Sequence, residues 1–200
     1  DTCVIDASDF DQTPRERAVF NFKGPGTNEA DKTTLSENMG YSTDRFSVTD
    51  ADFPAEDGDL VLIRSGGYNV YKDKICNEIR RVYRDNSTSY RTEDRVSWGY
   101  PAGAEVFLLR PLKRCQLLGG RIVGGYYNNY PNGFGQSGVY GEYCDEFTLR
   151  GCRIQGFENK GVEFLFSYQC KFYDFEIHGH PPDFPQVYDE GNTSGYYGIW

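Results

Sequence analysis

Asp174 and Glu176 stand two residues apart, so on one extended strand their carboxylates would leave the same face. At about 7 Å that separation suits a general acid and base working across a glycosidic bond. His178 follows just past the strand, ahead of Gly179-His180-Pro181-Pro182, where an imidazole could carry a proton near neutral pH. Arg121 and Arg153 precede Glu176 in an equivalent position of a repeat described below. A cation beside a base is what lyase chemistry on a uronate requires. The plainer reading pairs Glu176 with Arg153 on a neighbouring strand as a solvated ion pair and treats His-Gly-His as a polar turn. Glu142, Asp145 and Glu163 are further carboxylates with weaker claims.

Recognition has a better candidate than catalysis. The segment from Gly124 to Gly138 combines Tyr126, Tyr127, Tyr130 and Phe134 with Asn, Gly and Ser. Aromatic plates with adaptable hydrogen-bonding neighbours suit flat sugar rings. The same rings would equally cover a neighbouring turn of chain or an oligomer interface. Tyr188 through Tyr197 offers a similar run as a second wall.

The elements that must position these residues are strands. Short apolar runs such as Ala18–Phe22, Arg45–Val48, Leu60–Ile63 and Glu105–Leu109 are bounded by Gly, Pro, Asp or Asn, which reads as an all-β chain. In Lys74–Val82 the spacing fits helix and strand alike, and its β-branched content favours strand.

From Cys115 onward three segments end in Ile-x-Gly: Cys115–Gly124, Phe147–Gly156 and Cys170–Gly179. Aligned, they give the columns Cys115/Phe147/Cys170, Leu117/Leu149/Phe172 and Ile122/Ile154/Ile177, with Gln116/Thr148/Lys171 between the first two. Strand alternation turns the apolar columns inward and the polar one outward. Outward columns then include Arg121/Arg153/Glu176 and Gly119/Gly151/Asp174. Gly138-Val139 and Gly161-Val162 each lie nine residues before the next segment, which gives a 23-residue period. A period of that length with short strands marks a solenoid. Leucine-rich repeats share the length but not the strand-forming run Gly161–Cys170, so a right-handed parallel β-helix is the expected architecture. Gly198-Ile199 matches Gly161-Val162, so further rungs are expected beyond Trp200.

Composition removes several classes. With 200 residues, 38% apolar and 26% charged, the chain can bury a core. A net charge of -9 argues against nucleic acid as the partner. No 18-residue apolar run suggests membrane insertion. Six cysteines without a C-x-x-C pair, and two histidines, suggest buried free thiols, with no metal and no cofactor. The sequons at Asn86 and Asn192 would matter only in a eukaryotic secreted protein.

Two stretches resemble the pectate-lyase-like β-helix superfamily, and bacteriophage tailspike and tail-fibre depolymerases in particular. Phe46–Ile63, Glu78–Val82 and Ala104–Pro111 resemble the small β insertion placed among the first rungs of such proteins, and the Ile-x-Gly segments resemble the helix proper. An Asp-Gly-x-x-Asp-Asp-Thr segment common in the phage proteins is missing. The resemblance implies first strands over 1–40, a small β insertion over 41–113, and rungs over 114–200. It further implies a homotrimeric, virion-borne protein that binds and depolymerises a bacterial capsule or O-antigen. Asp174, Glu176 and His178 would be catalytic, and Arg121, Arg153, Tyr126, Tyr127, Tyr130 and Phe134 would bind substrate. A secreted cellular lyase or glycosidase and a non-catalytic shaft or adhesin module are the alternatives, because this architecture carries all three.

Overall fold

Short segments rich in β-branched and aromatic residues, cut by turn residues, favour strands over helices. The computed structural model describes residues 4–7, 18–65, 76–124, 137–155, 160–178 and 197–199, and all of its regular structure there is strand. Two units emerge, one formed by Asp1–Lys23 with Leu112–Trp200 and the other by Gly24–Pro111.

In chain order, β1 (Val4–Ala7) and β2 (Ala18–Lys23) open the first unit. The second unit follows with β3 (Gly26–Thr34), β4 (Arg45–Ser47), β5 (Leu60–Ser65), β6 (Cys76–Arg84), β7 (Ser89–Thr92) and β8 (Glu105–Arg110). These pair antiparallel in the order β3-β8-β5-β6-β7-β4. The ambiguous segment near Lys74 thus contributes a strand, β6, whose Val82 is wholly buried. Tyr90 anchors this unit's core, stacked on Phe46 at 5.5 Å and edge-on to Phe53 at 5.9 Å, with its hydroxyl donating to the Phe53 carbonyl at 3.3 Å. Burial of such a ring contributes most when its hydroxyl keeps a partner, as here.

The first unit resumes with β9 (Leu112–Lys113), β10 (Gln116–Leu118), β11 (Arg121–Gly124), β12 (Ser137–Glu142), β13 (Cys144–Asp145) and β14 (Thr148–Arg150). It continues with β15 (Arg153–Gln155), β16 (Lys160–Leu165), β17 (Lys171–Tyr173), β18 (Glu176–His178) and β19 (Tyr197–Ile199). Every pairing among these strands is parallel. The sheets run β1-β11-β15-β18, β2-β12-β16-β19, β10-β14-β17 and β9-β13. The register is the one the columns imply. Leu117, Leu149 and Phe172 align, as do Ile122, Ile154 and Ile177, and Val162 aligns with Ile199. Each pass of chain therefore adds one strand to each of the larger sheets, which is a repeat, solenoid-like arrangement.

Its core is aromatic and aliphatic: Phe147, Leu149, Ile154, Val139 and Val162 are fully buried, with Phe20, Phe22, Phe164 and Phe172 packed against them. The corners follow a pattern too. Arg114, Glu146 and Gln169 occupy equivalent positions with φ of 57°, 58° and 50°, and Gly119, Gly151 and Asp174 do so with 70°, 66° and 47°. Left-handed residues outside glycine are costly. Here the corner amides stay bonded to the next pass of chain, Arg114 N to the Asp145 carbonyl at 2.8 Å, Gly119 N to Arg150 at 2.7 Å and Gly151 N to Tyr173 at 3.1 Å.

Cys144 and Cys152 are buried free thiols, and Cys115 and Cys170 are half-buried ones. Burial pushes the Cys144 thiol from 9.0 up to about 11 and that of Cys170 up to about 12. Their raised folded-state values mean that only the unfolded thiols ionise between pH 9 and those limits. Stability is therefore expected to be indifferent to these groups below pH 9 and to fall as pH rises from 9 to about 11 for Cys144 and about 12 for Cys170. Thiol labelling at pH 8 should leave Cys144 and Cys170 unmodified until the protein is unfolded. Urea titrations at several pH values, with mass-resolved labelling, check both.

Candidate functional site

The alternation that turns Leu117, Leu149 and Phe172 inward turns their successors outward. Leu118, Arg150 and Tyr173 therefore line up on one exposed column of the β10-β14-β17 sheet, beside Gln116, Thr148 and Lys171. Leu118 is 59% and Tyr173 48% exposed. The corner Gly119/Gly151/Asp174 follows, and past it the β11-β15-β18 sheet presents Arg121, Arg153 and Glu176 in register. Successive members of a column lie about 4.8 Å apart along the stack.

Asp174 and Glu176 do not share a strand. Asp174 is the corner residue, in the left-handed conformation between β17 and β18, so the alternation that would put both on one face is interrupted between them. Asp tolerates that conformation better than most residues, which is reason enough for it to stand beneath two glycines. Its carboxylate meets Arg150 at 3.6 Å, and that of Glu176 meets Arg153 at 3.2 Å, all four side chains being more than half exposed. Arg121 donates through Nε to Gln155 Oε1 at 3.2 Å. His178 lies in β18, in register with Gln155, and its side chain is outside the described residues, as are Tyr126, Tyr127, Tyr130, Phe134 and the Tyr188–Tyr196 run.

The corner makes a sharp prediction. Asp174→Gly should leave thermal stability unchanged or slightly higher, since the column already holds Gly119 and Gly151, whereas Asp174→Val should cost roughly 1–2 kcal/mol. Thermal unfolding of the two variants separates them, and equal stabilities would contradict the corner assignment.

Arg150, Lys171, Tyr173 and Leu118 belong to this surface and are absent from the sequence-based candidates. Shifting the Leu117/Leu149/Phe172 column by one residue would have exposed three of them. Elsewhere, an open cleft of about 630 Å³ is lined by Glu56, Asp57, Arg84, Asp85, Asn86 and Ser87. Its one cation, Arg84, is committed to the carbonyls of Ala51, Asn86 and Ser87. Among the described residues no three His, Cys, Asp or Glu side chains converge as metal ligands.

Stacked parallel strands with outward columns, joined to an antiparallel unit, define a chain with the fold of phage tailspikes. The tailspike protein gp49 of Pseudomonas phage LKA1 superposes with a TM-score of 0.55 at 11% identity, over 82% of this chain and 33% of its own. Tailspike gp61 of Pseudomonas phage phi297 gives 0.56 at 12% identity, over 98% and 37%. The Gp54 tailspike of Acinetobacter baumannii bacteriophage AP22, solved in complex with A. baumannii capsular saccharide, gives 0.51 at 15% identity, over 80% and 35%. This chain thus spans about a third of the length of each. No protein-family model and no curated protein sequence matches it.

Proposed function

We propose that this chain is the polysaccharide-reading part of a tailspike-type receptor-binding protein, virion-borne, trimeric and built on a right-handed parallel β-helix. The observation that carries the reading is the fold shared with three phage tailspikes across 80–98% of this chain. Right-handedness is the expected sense of a parallel crossover connection. The unit Gly24–Pro111 is then an insertion within the first turn, between β2 and β9. One of the three tailspikes holds a capsular saccharide, and outward columns of Arg, Tyr, Thr and Gln give this chain the groups that such a ligand needs.

Asp174 and Glu176 balance the neighbouring arginines in this reading rather than transfer protons, because each is solvated and held by an arginine. With any polysaccharide that the protein shortens, the double variant Asp174→Asn/Glu176→Gln should keep its rate within about twofold. A loss of a hundredfold or more would place acid–base catalysis on this pair. The reading as a whole is tested by immobilised capsule and O-antigen preparations and by sedimentation. Saturable binding to at least one preparation and a trimeric mass are expected. Binding to none, by a trimeric and folded sample, would overturn it.

A further inference from the structure

The outward face around the Gly119/Gly151/Asp174 corner gathers cations on an acidic chain. The chain's net charge is -9. Yet Arg121, Arg150, Arg153 and Lys171 stand on the β10-β14-β17 and β11-β15-β18 sheets that flank this corner, against two carboxylates, Asp174 and Glu176. Arg121 and Arg153 face each other directly across adjacent parallel strands. Like charges in that relation are destabilising, and alternation with the buried Ile122 and Ile154 turns both outward. Glu176 relieves Arg153 from the far side, and Arg121 has a neutral partner in Gln155. Arg150 stands just across the corner, sandwiched in its column between the exposed Leu118 and Tyr173.

We propose that this corner binds an acidic polysaccharide, one bearing carboxylates on its repeating unit, with Arg121, Arg150 and Arg153 as the anion contacts and Tyr173 as the flat surface beneath a sugar ring. This deepens the polysaccharide-binding reading and rests on it. Guanidinium groups bind carboxylates through paired N–H donors, and the solvated pairs with Asp174 and Glu176 leave Arg150 and Arg153 donors to spare for a ligand carboxylate. A glycan lying along the stack meets Arg121 on one pass of chain and Arg150 and Arg153 on the next. Its charge relieves the Arg121/Arg153 repulsion that the free protein carries. A neutral glycan would keep the Tyr173 contact and hydrogen bonds to its hydroxyls but would leave the arginine charges unmatched.

The test uses purified bacterial capsular polysaccharides and O-antigens, uronate-containing and neutral, each also in carboxyl-reduced form. The tightest ligand of the unmodified protein should be acidic. Carboxyl reduction should weaken it at least tenfold, and Arg121→Gln/Arg153→Gln should do the same while flattening the dependence of affinity on salt. Tyr173→Ala should weaken acidic ligands without changing the salt dependence. Circular dichroism and melting of the arginine variant, expected to stay close to the parent because Arg153 is exposed and Arg121 half-buried with a single neutral partner, guard against misfolding. A tightest ligand that is neutral, or one whose binding survives both carboxyl reduction and the arginine changes, overturns this proposal alone. Binding to no polysaccharide overturns the polysaccharide reading and this one with it.

Discussion

Phe147→Ala should destabilise the repeat unit by about 3–5 kcal/mol. Phe147 is wholly buried, with the rings of Phe22 at 4.8 Å and Phe164 at 4.7 Å. Phe164 in turn meets Phe172 at 5.4 Å, and Phe172 meets Phe175 at 6.2 Å. Truncation therefore opens a ring-sized cavity at the centre of a connected aromatic row. Rigid strands bonded above and below prevent the row from collapsing into it. In urea the unfolding midpoint should drop sharply. Phe166, stacked on Tyr143 at 5.6 Å but 39% exposed, is the control, and its alanine variant should cost under about 1 kcal/mol. Equal effects at the two sites would contradict the inward assignment of the Phe147 column.

The second large effect comes from adding an atom. Gly141 aligns with Phe22 on one side and Phe164 on the other, so the column reads large, small, large. A Cβ at Gly141 would lie 2.1 Å from Phe164 Cε1 and 2.4 Å from Cδ1. Glycine is needed here for space rather than for an unusual φ, because the vacancy it leaves is filled by the Phe164 ring packed on Phe147. That ring is wedged between Phe147 and Phe172 and cannot swing away cheaply. Gly141→Ala is expected to cost about 1–3 kcal/mol, and Gly141→Val more. Coupling identifies the cause. Phe164→Leu in the Gly141→Ala background should restore part of the loss, so that the double variant is more stable than the summed single effects imply. Strict additivity would show that the clash is not the origin of the cost.

Much of the first unit is legible in the sequence because its information is local and repeated. The Ile122/Ile154/Ile177 and Leu117/Leu149/Phe172 columns are read directly and hold in the strand register. So does the match of Gly198-Ile199 to Gly161-Val162. Two members of the same sheets lack the repeat's punctuation. β1 aligns Ile5 with Ile122, but Ala7 stands where the later segments have glycine, and Val4–Ala7 does not announce itself. β2 pairs with β12 although 88 residues of the second unit separate it from β9, a distance no periodicity can bridge.

The candidate site is less legible. Alternation gives the right face for Arg121, Arg153 and Glu176, and their register and the Arg153–Glu176 pair follow from it. It fails at Asp174 because a left-handed residue interrupts the strand, and neither residue type nor spacing announces that corner. The glycines above it, Gly119 and Gly151, are the signal. Where a column of glycines contains one Asp, the position is a turn before it is an acid.

The most direct test of the receptor-binding account uses two isogenic bacteria, one displaying the polysaccharide that the purified protein binds best and one lacking its synthesis. Fluorescently labelled protein should decorate the first and leave the second at background, and the free polysaccharide should compete the labelling away. Equal labelling of both strains, or labelling that the free polysaccharide does not displace, would contradict a role in reading that polysaccharide.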